Sequence, residues 1–538
     1  MLFNSYLFIL LFLPLVISFY YLSPSFIKFK NLSKNNCYII ILLIASFFFY
    51  GYWNPKYIFL ITGSILFNFF LAKKISYKEE YKSKKKLLII GILFNLFLLG
   101  YFKYSNFFIE NIEIIFDKSI NWEKIVLPIA ISFFTFQQIA YLVDVSNNKT
   151  KEYSLLNYSI FVSFFPQLIA GPIVYHAEMK KQYENLSFLK NNFNNNITLG
   201  VCIFVIGLFK KVIIADSLSI YADPIFLSNE QGNNLVFIES WIGILSYTFQ
   251  MYFDFSGYSD MAIGLAKIFG INLPFNFNSP FKSRNIIEFW KKWHITLSRF
   301  INDYLFTNIA MFFLRFSMVK KLNNFNFLLS ILLPVLITFS LSGLWHGASW
   351  NFLLWGTLHG MYIVICYSWG IICKKFDLVF SNNNIYNIFS IILTFISVTL
   401  AFVPFRTQSM DSALSFYNSL IPTKDIILPN ELVGYWQNYF ENFLNYIPYF
   451  RFNFEGNYAL KVFQIQDCSI FIILSFMIVW VFQNSNNFVK IEKNKLIFPQ
   501  FQRFKINGFG IYFIYILFFY CLLSLANIKP SPYLYFQF

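Results

Sequence analysis

The chain has 538 residues, of which 57% are hydrophobic, 22% are aromatic and only 13% are charged. Soluble domains carry about 25% charged residues, so this composition excludes a soluble globular protein and indicates a multi-span membrane protein. The net charge of +16 also suits a nucleic-acid-binding protein, but no basic segment with interleaved aromatics stands outside the apolar runs. We therefore expect no nucleic-acid partner and attribute the excess of Lys and Arg to cytoplasmic loops.

The apolar runs predict an all-α fold with about 11 to 13 membrane helices, since a bilayer core needs about 20 apolar residues per helix. The first run has no preceding Lys or Arg and no small-residue cleavage site, so we interpret it as a span rather than a signal peptide. In chain order the runs lie near residues 5–23, 37–53, 57–72, 87–102, 126–143, 154–175, 197–215, 236–253, 326–345, 348–372, 384–404, 468–483 and 508–526.

Charges in the first loops predict the orientation of the chain. The loop around Lys28, Lys30 and Lys34 is basic, and the loop at 73–86 carries seven Lys and two Glu. The segment 104–125 is slightly acidic. Because positive loops remain on the cytoplasmic side, the N-terminus is expected outside.

We predict a single membrane domain over 1–538, with its chemistry-bearing motifs in 126–405 and its last spans in 467–538. The segment 406–466 is rich in Tyr, Phe and Asn and is predicted to be a peripheral extramembrane segment with short helices. The inverted repeats of many secondary transporters are not visible.

Ionisable residues within apolar segments are functional-site candidates, and the chain has only four histidines: His176, His294, His346 and His359. His346 lies in GLWHGASW, between two apolar runs. The flanking glycines allow close backbone approach, and Trp345 and Trp350 supply rigid walls. We interpret His346 as functional, and a structural histidine bonded to a backbone carbonyl is the alternative.

The other histidines are weaker candidates. On one continuous helix, His359 would lie about 220° around the axis from His346, at about 100° per residue. The two side chains would then face nearly opposite ways, so we favour a structural role for His359. His176 follows an apolar segment, which indicates a structural or interfacial role.

His294 lies in EFWKKWHITLS, where apolar residues recur with helical spacing. This pattern predicts one amphipathic helix over 286–304, at or dipping into the membrane surface. Glu288 is placed to pair with Lys292 at i,i+4. An interfacial histidine and a functional one fit this pattern about equally well.

A polar cluster directly follows an apolar run in YFDFSGYSDMAIG, residues 252–264. Two carboxylates here need partners if they are buried. The cluster either orients a catalytic group or caps the start of a helix. Its members are Asp254, Ser256, Tyr258 and Asp260.

Several motifs together resemble the membrane-bound O-acyltransferase (MBOAT) family, in particular its bacterial polysaccharide branch, which O-acetylates alginate or peptidoglycan. They are SFFTFQQIAYLVDV, FFPQLIAGPI, YFDFSGYSDMAIG, FNFNSPF, EFWKKWHITLSRFINDYLF and GLWHGASWNFLLWGTLHG, in this order. The resemblance covers roughly residues 1–410. The chain departs from the pattern at Asn302 and Tyr175, where relatives tend to have basic residues.

The resemblance implies a ring of tilted helices with re-entrant segments around a central tunnel. It implies that acetyl from cytosolic acetyl-CoA is carried across the bacterial cytoplasmic (inner) membrane to an extracytoplasmic polysaccharide. An extracytoplasmic esterase-like acetyltransferase is the expected partner where the polysaccharide is not acetylated directly.

The resemblance also implies roles for individual residues. His346 matches the family's defining histidine and is expected to be the general base, and His294 to orient the acceptor or polarise the carbonyl. Tunnel walls are expected from Trp345, Trp350, Trp290 and Trp293, with orienting groups from Asp254, Ser256, Tyr258 and Asp260. Independently of the resemblance, the CoA phosphates are expected at Lys282, Arg284, Lys291 and Lys292 if the helix that carries His294 faces the cytosol.

Two other classes of function were considered. A polysaccharide or lipid transporter predicts transport without dependence on acetyl-CoA. A haem or metal protein that uses two histidines predicts bound metal or visible absorbance. The six cysteines form no CxxC pair and no zinc-ligand spacing, and an activated thioester needs no metal, so no metal site is expected.

Overall fold

The computed structural model describes residues 1–26, 33–186, 193–322, 325, 327–378, 383–422, 425–429, 451–456, 459–460, 462–482, 484–485, 491–492, 500–501, 508–527 and 531–534. The helices of the first half are α1 (Leu13–Phe26), α2 (Lys34–Gly51), α3 (Lys56–Tyr77), α4 (Tyr81–Leu99), α5 (Ser105–Phe116), α6 (Ile131–Ser146), α7 (Leu155–Ser163), α8 (Phe165–Leu168), α9 (His176–Tyr183), α10 (Phe193–Phe209), α11 (Asp216–Glu230) and α12 (Phe237–Ile268).

The helices of the second half are α13 (Ile286–Trp290), α14 (Ile295–Ile301), α15 (Thr307–Val319), α16 (Leu333–His346), α17 (Trp350–Lys375), α18 (Asn384–Arg406), α19 (Met410–Ser419), α20 (Val462–Trp480) and α21 (Gly508–Asn527). Short π-helical turns extend several of them, such as Lys210–Ala215 between α10 and α11.

The expectation of a helical membrane protein is confirmed for the bulk of the described chain. Seven helices are long and apolar enough to cross a membrane, and three shorter apolar helices accompany them within the described ranges. The predicted run at 154–175 is interrupted, because the chain leaves the helix at Phe164 between α7 and α8. The run at 236–253 becomes part of the 32-residue helix α12.

Two short strand pairs depart from the purely helical expectation. β1 (Asp425–Pro429) pairs in parallel with β2 (Arg451–Gly456). β3 (Ile491–Glu492) pairs antiparallel with β4 (Gln500–Phe501). The predicted peripheral segment 406–466 lies partly outside the described residues, and its described part contains α19, β1 and β2.

The chain divides into two compact units, both of which are discontinuous in sequence. Unit 1 contains Met1–Val212, Phe255–Asn276 and Ser485–Phe538, and unit 2 contains Ile213–Asp254 and Phe277–Asn484. The single-domain prediction stays a prediction.

Unit 1 packs apolar helices through a buried amide network. Asn68 on α3 and Asn95 on α4 exchange side-chain hydrogen bonds of 2.7 and 3.2 Å. On α6, Gln138 donates to Ser64 on α3 at 2.8 Å and accepts from Tyr158 on α7 at 3.2 Å. Such contacts hold apolar helices in register where the hydrophobic effect alone does not select partners.

Unit 2 is organised around α16 and α17, which run antiparallel in close contact. The long helix α17 also packs against α18 and against the short α13. These contacts gather the segments that carry three of the four histidines into unit 2.

Candidate active site

The connection between α16 and α17 places His346 at the end of a helix. Gly347 is extended, with φ −158° and ψ 148°, so α16 stops at His346. Ser349 then caps α17, and its hydroxyl accepts from the backbone N–H of Phe352.

Close contact of the two helices depends on a pair of facing glycines. A Cβ on Gly343 would lie 3.1 Å from the Cα of Gly356 and would collide with the carbonyl oxygen of Phe352. Small residues at a crossing let two backbones approach. The crossing therefore holds His346, three residues after Gly343, directly against α17.

His346 is 6% exposed and is surrounded by aromatic rings. Its ring centroid lies 4.9 Å from Trp345, 4.9 Å from Trp355 and 5.5 Å from Phe405. A box of this kind keeps bulk water away from the imidazole. Neutral imidazole is the form that accepts a proton.

The condition under which His359 and His346 would face opposite ways, one continuous helix, is not met. Because the helix breaks at Gly347, the two histidines do not lie on one continuous helix. Trp355 contacts both, with ring centroids 4.9 Å from each. Trp290 donates its indole N–H to Nδ1 of His359 at 3.3 Å, which fixes that nitrogen as an acceptor.

The predicted amphipathic helix over 286–304 is also wrong, because it is broken at His294. The backbone of His294 lies in the left-handed region, with φ 42°, between α13 and α14. Such a conformation is uncommon for a non-glycine residue and clusters at functional sites. His294 is only 1% exposed, which contradicts an interfacial position. Burial lowers its pKa to about 3.

The tryptophans that were predicted to form the walls of the site lie in different environments. Trp290 packs against Trp355 with ring centroids 5.9 Å apart. It thereby joins the cluster of His346, Trp355 and His359, which we call the histidine cluster. Trp293 stacks on Phe289 at 5.5 Å, inside the same unit. Trp350, in contrast, is 54% exposed.

The polar cluster predicted at 252–264 lies within α12, so the helix-capping alternative is wrong. Asp254 belongs to unit 2 and is buried. Ser256, Tyr258 and Asp260 belong to unit 1 and are buried there. Asp260 forms an ion pair of 2.6 Å with Lys210.

The predicted phosphate-binding cations are partly engaged by the protein itself. Lys282 donates to the backbone carbonyl of Phe482 at 3.0 Å. The predicted i,i+4 pair is confirmed, since Lys292 contacts Glu288 at 2.7 Å. Lys291 borders a cavity next to Trp290.

His176 is buried, so its interfacial alternative is wrong. Its Nδ1 lies 2.8 Å from the hydroxyl of Thr150, and its Nε2 lies 3.5 Å from the carboxylate of Glu152. The carboxylate that contacts His176 therefore comes from Glu152, upstream of α7, rather than from Glu178 on the same helix.

Sequence reasoning missed Trp355 and Phe405. Trp355 precedes His359 by four residues, and that spacing places both on one helix face. This signal was available in the sequence. Phe405 comes from α18, and no local pattern connects it to His346.

The fold and the site define a helical membrane protein with a buried, aromatic-walled histidine centre. The model of the membrane-bound O-acyltransferase (MBOAT) family matches residues 124–403, which is more than half of the chain. The chain belongs to this family.

Relatives with described activities are similar over most of their length. The chain is 40% identical over 453 residues to a peptidoglycan O-acetyltransferase of Helicobacter pylori, which covers 80% of this chain and 81% of the relative. It is 34% identical over 426 residues to a probable alginate O-acetylase, AlgI, of Pseudomonas aeruginosa, covering 78% and 75%. It is 30% identical over 285 residues to a teichoic acid D-alanyltransferase of Bacillus subtilis, covering 52% and 68%.

Proposed function

We propose that this protein is a membrane O-acetyltransferase that moves acetyl from cytosolic acetyl-CoA to a hydroxyl of an extracytoplasmic polysaccharide. The observation that carries the proposal is the 40% identity to a peptidoglycan O-acetyltransferase over four fifths of the chain. This similarity favours a peptidoglycan-type acceptor over an alginate-type one. Membership of an acyltransferase family argues against the transporter alternative.

In the proposed reaction His346 is the general base. Its imidazole accepts the proton of the acceptor hydroxyl while the oxygen attacks the thioester carbonyl. The new C–O bond forms and the C–S bond breaks, and the proton passes to the departing sulfur to give the thiol of CoA. The aromatic box around His346 keeps water from competing for the acetyl group.

His294 is assigned to orienting the acceptor or polarising the carbonyl. Its burial and its left-handed backbone support a fixed orientation. With a pKa of about 3, the ring is neutral at physiological pH and can donate one hydrogen bond and accept another. Asp254, buried in the same unit, stays a predicted orienting residue.

Of the cations predicted for the CoA phosphates, we retain Arg284. Lys282 and Lys292 are engaged with Phe482 and Glu288, and Lys291 lines a cavity whose other walls are mostly aliphatic and aromatic. We further propose that the N-terminus lies outside and that the helices form a ring around a tunnel. The proposed partner is an extracytoplasmic esterase-like acetyltransferase.

The test measures ester-linked acetyl in the cell-envelope glycan of a deletion strain that is complemented with variants. General-base catalysis contributes about 10²–10⁴-fold, so His346→Ala is expected to lower acetylation at least 100-fold. Gly370→Ala is the control, because a Cβ at Gly370 meets nothing within 4 Å. Wild-type acetylation by a correctly inserted His346→Ala protein would overturn the assignment of the base.

A further inference from the structure

A cavity of about 470 Å³ lies beside the histidine cluster, within unit 2. Its volume falls in the range of about 300–1,000 Å³ that is typical of ligand sites. The walls are mostly apolar and come from α13, α14, α16 and α17, including Ile295, Val335, Phe339 and Ile363. Trp290 lines the cavity and also contacts His359, so the cavity and the cluster share a wall.

The polar part of the lining carries positive charge. Lys291 and Arg299 line the cavity together with Ser298 and Asn302. None of the lining residues, all of which are described, is acidic. A cavity that has low-dielectric walls and is lined by positive charges attracts the anionic group of a ligand.

The apolar walls come in part from two candidate membrane spans, α16 and α17. α17 is a candidate membrane span, and outside the cavity it exposes Met361, Ile365 and Trp369. On the same helix, Tyr367 lines the cavity and is 40% exposed. The exposed fraction of Tyr367 shows that the cavity opens to the protein surface beside a candidate membrane span.

The helix that follows the cavity wall marks the level of the lipid headgroups. α15 begins directly after Phe306, a lining residue. It exposes Met311, Phe312 and Phe316, it carries the exposed Arg315, and Lys320 follows directly after its last residue. Exposed apolar and basic residues in one short helix are typical of an element that lies in the membrane interface.

We propose that the cavity binds an anionic membrane phospholipid. The phosphate contacts Lys291 and Arg299, and one acyl chain lies along the wall formed by Val335, Phe339 and Ile363. Thr338 lines the same wall. Its hydroxyl is buried and has no hydrogen-bond partner among the described residues, and it donates to an ester carbonyl of the lipid.

Acetyl-CoA is the rival ligand, because it also carries phosphates. Its arm contains amides that need hydrogen-bond partners when they are buried, and the aliphatic and aromatic walls of this cavity offer few. A hydrocarbon chain has no such requirement. The lipid is therefore the better match, and the binding site does not depend on which glycan is acetylated.

The test measures binding of dioleoylphosphatidylglycerol and dioleoylphosphatidylcholine to the full chain by native mass spectrometry in detergent. Lys291→Gln removes a charge at the cavity, and Lys320→Gln removes one outside it. Loss of a charge-assisted contact is expected to weaken phosphatidylglycerol binding about tenfold in Lys291→Gln and to leave Lys320→Gln unchanged. Phosphatidylcholine is expected to bind more weakly and to respond less to Lys291→Gln.

A second variant, Ile363→Trp, fills the cavity and is expected to remove the high-affinity lipid. The proposal fails if Lys291→Gln and Lys320→Gln bind phosphatidylglycerol alike, or if the wild type does not prefer it to phosphatidylcholine. It also fails if acetyl-CoA displaces the lipid, since the cavity would then belong to the acyl donor. None of these measurements requires acetyl transfer, so they separate the lipid site from the proposed activity.

Discussion

Two helix contacts in this protein are built from facing glycines, but they hold different chemistry. In unit 2, Gly343 and Gly356 bring α16 and α17 together. In unit 1, Gly207 and Gly257 do the same for α10 and α12, where a Cβ on Gly207 would lie 2.5 Å from the carbonyl oxygen of Gly257. A second pair, Gly200 and Gly264, repeats this contact further along α10 and α12.

In both units a polar residue follows the glycine by three positions. In unit 1 these residues are Lys210 and Asp260, and they form an ion pair of 2.6 Å. In unit 2 the residue is His346, where α16 ends and aromatic rings surround the imidazole. Close approach of two backbones therefore accompanies different chemistry in the two units. In unit 1 the polar residues neutralise each other as an ion pair, and in unit 2 the polar residue at the helix end is a candidate proton acceptor.

The largest effect is expected from a methyl group at the unit 2 crossing. Gly343→Ala places a Cβ against the backbone of Phe352 and Gly356, and backbone cannot yield as a side-chain tip can. The helices must separate and shift His346 from its box, and a displacement of about 1 Å costs about 100-fold in rate. We expect at least a 100-fold loss of acetyl transfer, measured as ester acetyl per molecule of inserted protein.

Gly370→Ala provides the matched control, since it adds the same methyl group to α17 in open space. It is expected to keep wild-type activity. Equal activity of Gly343→Ala and Gly370→Ala would show that the crossing does not position the histidine.

The second prediction concerns the unit 1 crossing and is a loss of stability. Lys210→Met leaves the Asp260 carboxylate buried without its cation, and removing one partner of a buried pair costs about 3–5 kcal/mol. Thermal unfolding in detergent measures the loss. The double variant with Asp260→Asn removes both charges and is expected to recover most of the stability. No change in the single variant would mean that the pair contributes nothing.

Much of the helical framework could be predicted from the sequence. The runs at 348–372 and 384–404 agree within a few residues with α17 and α18, because long apolar runs have few alternatives in a bilayer. His346 could be selected because a histidine between two such runs is rare. Glu288 and Lys292 could be paired because i,i+4 spacing is local.

The failures have a common physical cause, which is tertiary contact. Periodicity extended a helix through His294, but the chain turns there into the left-handed region, and no local pattern records that. The opposed orientation of His359 followed from a helix that Gly347 interrupts. Asp260 was expected to need a partner if buried, but sequence alone could not identify that partner, Lys210, fifty residues upstream.

The third prediction concerns the hydrogen bond between Trp290 and His359 in the histidine cluster. Trp290→Phe removes the N–H that bonds His359 but keeps an aromatic ring against Trp355. A hydrogen bond contributes about 1 kcal/mol, and its buried acceptor is then unsatisfied, so we expect acetyl transfer to fall about tenfold. Trp369→Phe, on the exposed part of α17, is the control. A value equal to the control would assign Trp290 to packing alone.

The smallest effect is expected at His176, the histidine of unit 1. Burial raises the pKa of Glu152, but the close approach of the His176 ring and the hydrogen bond from the backbone N–H of Ser154 outweigh burial and hold this pKa below its ordinary value. A lowered carboxyl pKa contributes stability above the pKa of the unfolded chain, and this contribution is lost as pH falls through the folded pKa. Protonation of Glu152 therefore contributes to the loss of stability at acidic pH.

Glu152→Gln is expected to lower stability by about 1 kcal/mol at neutral pH and to flatten the decline of stability below about pH 5. Unfolding temperatures of wild type and variant, measured from pH 4 to pH 8, give both quantities. Glu184→Gln, which removes an exposed carboxylate near the same histidine-bearing helix, is the control. If Glu152→Gln shows the wild-type slope, Glu152 does not contribute to the acid decline of stability, and its contact with His176 serves packing alone.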